Sequence, residues 1–182
     1  MREEGEKMKK SNEILITQEQ IKKRAAELGA QITKDYEGEE LVLIGILRGS
    51  VPWMVDIMQN IDNDKLIMDY MACSSYGSGT KTTGKVRINK DIQEEVEGKH
   101  VLIIEDIIDS GITLKYLEGY FANKGAADFK ICSLLDKPSG RKVDIKGDYI
   151  GFEVGDQFIV GYGLDYDQKY RQLPYIGYLI ED

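Results

Sequence analysis

The chain has 182 residues, of which 42% are hydrophobic and 31% charged, and this composition is typical of a soluble globular protein of one domain. The longest apolar runs have the length of strands, well short of the roughly 20 residues that span a bilayer, so we expect no membrane partner. The formal net charge of −8 argues against a broad nucleic-acid-binding surface, because phosphate backbones attract basic proteins.

The amino-terminal segment, MREEGEKMKKSNE, is charged and lacks the apolar stretch of a secretory signal, so we expect residues 1–13 to form a flexible tail. The two cysteines, Cys73 and Cys132, fall in apolar, strand-like segments without metal-ligand spacing. Buried, reduced thiols and a cytoplasmic location are therefore expected.

The first half of the chain alternates predicted helices and strands. Thr17–Gln20 fits a capping box at the start of a helix. The apolar run Leu41–Leu47 indicates a buried strand, and Val51–Gln59 indicates a second helix. Leu66–Cys73 is predicted to be a strand, and the polar, glycine-rich residues 74–85 predict a mobile loop.

The second half continues the alternation. Val101–Glu105 is predicted to be a third buried strand, Ile112–Asn123 a third helix and Phe129–Leu135 a strand that leads into a turn at Lys137–Gly140. Three short strands are predicted after that turn: Tyr149–Val154, Phe158–Tyr162 and Tyr175–Leu179.

This order of elements predicts an α/β fold, with a mostly parallel twisted sheet flanked by helices. The sequence contains no internal repeat and no linker. We therefore expect one domain over residues 1–182, with a small hood formed from both chain ends.

The segment Val101–Leu114 carries the strongest indication of function. An apolar strand is followed by Glu105 and Asp106, and then by the turn Asp109–Thr113 at the start of a helix. The free amides and hydroxyls of such a turn bind an anion, and Gly111 lets the backbone approach it closely. Carboxylates would repel a phosphate but accept hydrogen bonds from sugar hydroxyls, so the segment predicts a ribose 5-phosphate site.

Simpler interpretations stand beside this one. Glu105, Asp106 and Asp109 could be solvated residues at the end of a strand. Ser110 and Thr113 could be ordinary helix caps. Gly79–Lys85 nearly matches a phosphate-binding P-loop, but Val86 stands where the pattern needs a hydroxyl and no helix is predicted to follow. His100 is away from every motif and is expected to be a surface or packing residue.

Several separated motifs, in the expected order, resemble those of the type I phosphoribosyltransferases. From about Ile14 to Ile180 the chain is similar to the bacterial members that use hypoxanthine and guanine. The resemblance implies a Rossmann-like core and transfer of a phosphoribosyl group from phosphoribosyl pyrophosphate (PRPP) to the base, with Mg²⁺ as cofactor. The motifs are Leu47–Ser50, Ser74–Gly77, Val101–Leu114, Leu134–Val143 and Phe158–Leu173.

On the ribose side, the resemblance implies that Glu105 and Asp106 hold the sugar hydroxyls and contribute to the metal site. Asp109 corresponds to a carboxylate that the family places near purine N7, as candidate general base. The residues expected to bind the ribose and 5-phosphate are Glu105, Asp106, Asp109, Ser110, Gly111, Ile112 and Thr113.

On the base and pyrophosphate side, the resemblance implies that Lys137 donates to purine O6 and that Phe158 stacks on the ring. The backbone of Ile159 would read the purine edge. Asp165 would lie near the base and coordinate Mg²⁺ on the pyrophosphate, and Arg171 would pair with pyrophosphate oxygens. Each type of contact suits its partner: aromatic faces stack on bases, carboxylates bind Mg²⁺, and guanidinium groups fork onto phosphates.

The resemblance also implies a pyrophosphate loop that includes Arg48 and Gly49, with a cis peptide bond that we predict between Leu47 and Arg48. The family more often has lysine at position 48, so the contact of the Arg48 side chain is left open. Ser75 and Tyr76 would belong to a lid that excludes water from the reacting ribose.

Two alternative functions remain at this point. Some regulators of pyrimidine genes share the PRPP signature and bind RNA, but they would need a basic surface. Within enzymes, the alternative is a relative that prefers guanine or xanthine. The family also implies a homodimer or homotetramer.

Overall fold

The computed structural model describes residues 13–75 and 86–179. Three helices, nine strands and one 3₁₀ turn are found there. In chain order they are β1 (Glu13–Ile16), α1 (Gln18–Asp35), β2 (Leu41–Leu47), α2 (Val51–Gln59), β3 (Leu66–Ser75), β4 (Val86–Lys90), β5 (His100–Ile108), α3 (Ile112–Asn123), β6 (Asp128–Asp136), the 3₁₀ turn Pro138–Gly140, β7 (Tyr149–Glu153), β8 (Ile159–Val160) and β9 (Ile176–Tyr178).

Six strands form the main sheet, in the order β4-β3-β2-β5-β6-β7. All neighbouring pairs are parallel except β3 with β4, which lies antiparallel at the edge. From β2 the chain adds β3 and β4 toward one edge of the sheet, and from β5 it adds β6 and β7 toward the other edge. The direction in which strands are added therefore reverses between β2 and β5. Ligands of open α/β sheets bind at such a reversal. The predicted α/β fold with a mostly parallel sheet is confirmed.

The sheet is buried on both faces, which explains its continuous apolar strands. Alternate residues of β2 point to opposite sides, because side chains of a strand alternate. Leu41 and Leu43 pack in the cluster that contains α1 and α2 residues, whereas Val42 and Ile44 pack in the cluster that contains α3 residues. The helices therefore cover both faces, as predicted.

The first helix begins at the predicted capping box. The backbone amide of Gln20 donates to Thr17 Oγ1 at 3.2 Å, and the amide of Thr17 donates to Gln20 Oε1 at 2.8 Å. Two amides without intrahelical partners are thereby satisfied, which fixes where α1 starts.

A second, three-stranded sheet in the order β1-β9-β8 joins the two ends of the described chain and forms the predicted hood. Glu13 pairs with Tyr178, so the tail predicted over residues 1–13 is wrong for residue 13, and residues 1–12 lie outside the described residues. The hood strands are shorter than predicted. Strand β8 ends where Gly161 and Tyr162 adopt positive φ angles of 97° and 49°, which a strand cannot accommodate.

Both cysteines are free, as expected. Cys132 is buried and Cys73 is half-buried, and burial raises the pKa of Cys132 to about 12 and that of Cys73 to about 11. No helix within residues 13–75 and 86–179 is long and apolar enough to cross a membrane. The expectation of one domain over residues 1–182 stays a prediction.

Candidate active site

A crevice opens between β2 and β5 at the carboxyl end of the main sheet. The pairing of β2 with β5 ends at Gly45 and Ile104, but β5 stays paired with β6 as far as Ile108. Glu105 and Asp106 lie in the part of β5 that has lost its β2 partner. The strand was predicted to end at Glu105, and the structure instead extends it to Ile108, because β6 continues to hold that stretch of backbone.

Glu105 and Asp106 are neighbouring carboxylates in this part of β5. Burial raises the pKa of Asp106 to about 6, although the amide of Ile107, 2.7 Å from Asp106 Oδ1, and the charge of Arg171 both favour the ionised form. Burial and the neighbouring charge of Asp106 raise the pKa of Glu105 well above its ordinary value. Such a pair favours ligands that donate hydrogen bonds or carry positive charge.

The predicted phosphate loop, Asp109–Thr113, borders a cavity of about 100 Å³ beside Glu105. Gly111 precedes α3 with a φ of 77° and, as the N-cap residue, offers no side chain to cap the helix. The Ser110 hydroxyl lies 3.4 Å from the amide of Ile112, and Thr113 lies inside the helix. Ser110 therefore accepts one long hydrogen bond from the first amide of α3, so its interpretation as a helix cap stays open, whereas Thr113 is not at the cap position.

Asp109 meets the turn that carries Lys137. A Cβ atom at Gly140 would overlap Asp109 Oδ1, so the carboxylate lies directly against that turn. The amide of Lys137 donates to the carbonyl of Ile108 at 2.9 Å, which fixes the start of the turn beside the phosphate loop. The Lys137 ammonium lies 3.9 Å from Asp156 Oδ1. The predicted general base and the predicted O6 donor are thus on adjoining segments.

Phe158 is 53% exposed, although an apolar ring is ordinarily buried. Its ring contacts Tyr166 edge-on, with centroids 5.3 Å apart and planes at 85°. Ile159 is buried in β8 and pairs with Tyr178. Phe158 is therefore not a core residue, and a face of its ring is available for stacking.

The pyrophosphate loop follows β2, and the peptide bond between Leu47 and Arg48 is cis, as predicted. A Cβ atom at Gly49 would overlap Asp106 Oδ2, and one at Gly163 would overlap the carbonyl oxygen of Gly49. The three segments can pack this closely only because both positions are glycine. The hood loop after β8 therefore rests directly on the pyrophosphate loop.

Arg171 holds this hood loop together. Its Nη2 lies 2.8 Å from Asp165 Oδ1, and its Nη1 donates to the carbonyl of Gly163 at 2.7 Å. Gln168, which the sequence did not single out, accepts from Arg48 Nη1 at 3.3 Å and from Arg171 Nη2 at 3.1 Å. The contact of Arg48 left open by the sequence is therefore Gln168, which brings both predicted pyrophosphate-binding arginines together.

The predicted lid is only partly described. Ser75 belongs to β3, whose pairing with Val86 of β4 extends the strand two residues beyond its predicted end. Tyr76 and the P-loop-like residues 79–85 lie outside the described residues.

Some contacts near the site were not predicted. The buried Asp56 of α2 accepts a hydrogen bond from the Tyr162 hydroxyl and pairs with Lys22 of α1, which anchors the hood loop to both helices. Arg141 contacts the backbone of Asp109.

His100 lies at the opposite end of β5, with Nδ1 3.0 Å from Asp128 Oδ1, consistent with a packing residue.

Comparisons with known proteins agree with this geometry. Residues 11–167 match the family model described as a phosphoribosyl transferase domain. The chain is 54% identical over 166 residues to a hypoxanthine-guanine phosphoribosyltransferase of Bacillus subtilis (strain 168), which covers 91% of this chain and 92% of that protein. A crystal structure of a hypoxanthine phosphoribosyltransferase from Staphylococcus aureus matches with a TM-score of 0.90 at 48% identity, over 93% of this chain and 91% of that one. A hypoxanthine-guanine phosphoribosyltransferase from Bacillus anthracis matches with a TM-score of 0.89 at 46% identity, over 94% and 100% of the two chains.

Proposed function

This chain belongs to the phosphoribosyl transferase domain family, and we propose that it transfers the 5-phosphoribosyl group of PRPP to hypoxanthine and guanine. The products are IMP or GMP and pyrophosphate, so the enzyme works in purine salvage. The observation that carries the proposal is the contact between Asp109 and the turn of Lys137, because it joins a phosphate-binding loop to a turn suited to a purine.

The cavity beside α3 takes the 5-phosphate of PRPP. The helix dipole and the amides of Ser110, Gly111, Ile112 and Thr113 favour an anion there, and the Ser110 and Thr113 hydroxyls add donors. The acidic pair, Glu105 and Asp106, accepts hydrogen bonds from the ribose hydroxyls.

The base lies against Phe158, and Lys137 donates to its O6 atom. This donor favours 6-oxopurines over adenine, which carries an amino group at that position. The backbone of Ile159 reads the purine edge. Purine N9 forms the bond to ribose C1′ while the bond from C1′ to pyrophosphate breaks, and Asp109 accepts the proton that leaves N7. A positioned general base of this kind contributes roughly 10²–10⁴-fold to the rate.

The leaving pyrophosphate lies between the cis-peptide loop and the hood loop. The amide of Gly49 and the guanidinium groups of Arg48 and Arg171 are the donors on that side. Gln168 contacts both arginines and Asp165 pairs with Arg171, so these two side chains orient the guanidinium groups.

Mg²⁺ fits this donor set. The metal prefers oxygen ligands and keeps several waters and substrate oxygens, so one or two carboxylates are sufficient. Burial raises the pKa values of Glu105 and Asp106, and a cation bound beside them would favour their ionised forms. Asp165 would hold the metal from the hood side. When bound, Mg²⁺ neutralises charge on the pyrophosphate.

The remaining parts of the proposal rest on the family. Ser75 and Tyr76 belong to a lid that covers the reacting ribose. The enzyme is cytoplasmic and assembles as a homodimer or homotetramer, without nucleic acid or membrane as a partner.

Nucleotide formation tests the function directly. Purified protein is incubated with PRPP, Mg²⁺ and tritium-labelled hypoxanthine, guanine, xanthine or adenine, and labelled nucleotide is separated and counted. We expect IMP and GMP, and little AMP. The absence of nucleotide from hypoxanthine and guanine would refute the proposal, and xanthine as the best substrate would favour the alternative specificity. Binding of RNA without any transfer would favour a regulator.

A further inference from the structure

We propose that Arg141 is a positioning residue that couples the ribose-phosphate subsite to the purine subsite. This inference rests on the proposed function, because it concerns two subsites that one substrate and one product must span. It assigns a role to a side chain whose sequence position, an arginine in a glycine- and lysine-rich turn, resembles that of an ordinary surface cation.

The guanidinium group of Arg141 reaches both subsites at once. Its Nη1 donates to the backbone carbonyl of Asp109 at 2.9 Å, at the first residue of the phosphate loop. Its Nη2 pairs with the carboxylate of Asp136, the last residue of β6 and the neighbour of Lys137. The Arg141 and Asp136 side chains are only 18% and 19% exposed, so water competes weakly for these contacts.

Backbone and packing contacts also join the Arg141 segment to the phosphate loop. The amide of Lys142 donates to the carbonyl of Ser110 at 3.0 Å. A Cβ atom at Gly111 would overlap Ile145 and would lie 3.3 Å from Cδ of Arg141. The segment from Lys137 to Ile145 therefore forms the back wall of the phosphate loop, and Arg141 is the charged contact that joins wall and loop.

The consequence is a fixed distance between the groups that bind the two parts of the nucleotide. Asp109 provides the loop backbone and the proposed base, and Lys137 provides the O6 contact. Without Arg141 each subsite keeps its own donors, but their separation is held only by the backbone and packing contacts and is fixed less tightly. A ligand that spans both subsites then binds more weakly, because its two parts no longer meet both sets of donors at the best distance. A ligand confined to one subsite loses little affinity.

Two ligands separate these cases: IMP spans both subsites, and ribose 5-phosphate occupies only one. Dissociation constants of both are measured by calorimetry for the wild-type protein and for Arg141→Met. We expect IMP to bind at least about 10-fold more weakly to the variant, the scale of one lost charged hydrogen bond, and ribose 5-phosphate less than about 3-fold more weakly. Equal weakening of the two ligands, or weakening of neither, would overturn the inference.

Two further variants sharpen the test. Arg141→Lys keeps the charge but has one nitrogen in place of the two that contact Asp109 and Asp136, so it should recover only part of the IMP affinity, and full recovery would contradict bridging. Lys146→Met removes an exposed cation directly after this segment and should leave both constants unchanged. A wild-type protein that forms no nucleotide refutes the proposed function, whereas an active wild type with equal weakening in Arg141→Met refutes only the coupling.

Discussion

At the scale of single residues, the site is dominated by acids that serve different purposes. Glu105 and Asp106 are adjacent on β5, where burial raises both pKa values; the charge of Asp106 adds to the rise at Glu105, and the charge of Asp165 adds to the rise at Asp106. Asp109 lies against the turn of Lys137 instead, outside that pair. Their environments therefore suit them to different roles, the pair to sugar hydroxyls and Asp109 to a proton on the base.

The role of Asp109 is open to a direct test. Asp109→Asn keeps the size and the oxygen acceptor but cannot take up the proton from N7. We expect kcat to fall at least about 100-fold, with a much smaller change in the KM for PRPP, in steady-state assays with hypoxanthine. Asp64→Asn, at an exposed position, serves as the control and should match wild type. An unchanged kcat in Asp109→Asn would remove the general-base role.

Asp106 should lower the stability of the free protein at neutral pH. Its folded-state pKa of about 6 exceeds the value near 3.9 of an unfolded chain, so its favourable contribution is complete below pH 3.9 and lost as the pH rises through 6. The difference corresponds to about 3 kcal/mol at most. We expect Asp106→Asn to raise Tm by about 5 °C at pH 8 and to leave it nearly unchanged at pH 4.

Thermal unfolding of the wild-type protein and of Asp106→Asn, followed by circular dichroism at pH 4 and pH 8, measures these Tm differences. The same variant should lose activity, because a carboxylate accepts hydrogen bonds from ribose hydroxyls more strongly than an amide does. A Tm shift of equal size at both pH values would contradict the assigned pKa.

At the scale of elements, the site depends on two loops that touch through backbone atoms. Gly163, with φ at 101°, lies on the carbonyl of Gly49, and Arg171 donates to the carbonyl of Gly163. The hood loop and the pyrophosphate loop thus keep a separation that only residues without a side chain allow. This contact transmits the position of the hood to the main sheet.

Replacing that glycine should separate the loops. Gly163→Ala places a Cβ on the Gly49 carbonyl in a backbone conformation that alanine rarely adopts, so we expect a loss of about 2 kcal/mol or more in the free energy of unfolding. The KM for PRPP should rise in parallel. Gly119→Ala is the matched control: that exposed position in α3 has open space around it, and the change should stabilise the helix by up to about 1 kcal/mol. Urea titration and steady-state kinetics provide both quantities.

Elements with strong local signals were predictable. The capping box at Thr17 and the apolar runs of β2 and β5 located helices and strands within a few residues. The ends of β3 and β5 were wrong, because pairing with β4 and β6 extends them beyond their apolar residues. Strand β1 was missed, since its residues are mostly exposed and its partner is β9 at the other end of the chain.

The site was predictable where a motif carries the chemistry in consecutive residues, as in the phosphate loop. Arg141, Gln168 and Asp56 were not predictable in their contacts. Each acts through a partner 32 to 120 residues away in the chain, and residue type alone does not specify such a pairing.

At the scale of the whole molecule, the proposed substrate links the main sheet to the hood. The 5-phosphate lies beside α3 and the pyrophosphate beneath the hood loop, so bound PRPP should oppose the separation of the two sheets. With PRPP at 100 times its Kd and Mg²⁺ present, we expect a stabilisation of about 2.7 kcal/mol and a Tm increase of about 5–10 °C.

Differential scanning fluorimetry measures this shift. Removal of Mg²⁺ with a chelator should reduce it, whereas Asp109→Asn should retain most of it, because that residue is proposed to serve the base. A Tm that does not respond to PRPP would contradict a site shared by sheet and hood.

The two cysteines have a practical consequence for spectroscopy. With pKa values of about 11 and 12, Cys73 and Cys132 hold at most about one thiolate in 10,000 at pH 7, and the thiolate is the form that reacts with maleimide dyes. A new cysteine on the exposed side of α1 should react long before either of them. The native chain is thus ready for a single fluorophore, and the emission of that dye can be followed as PRPP binds without first replacing the natural thiols.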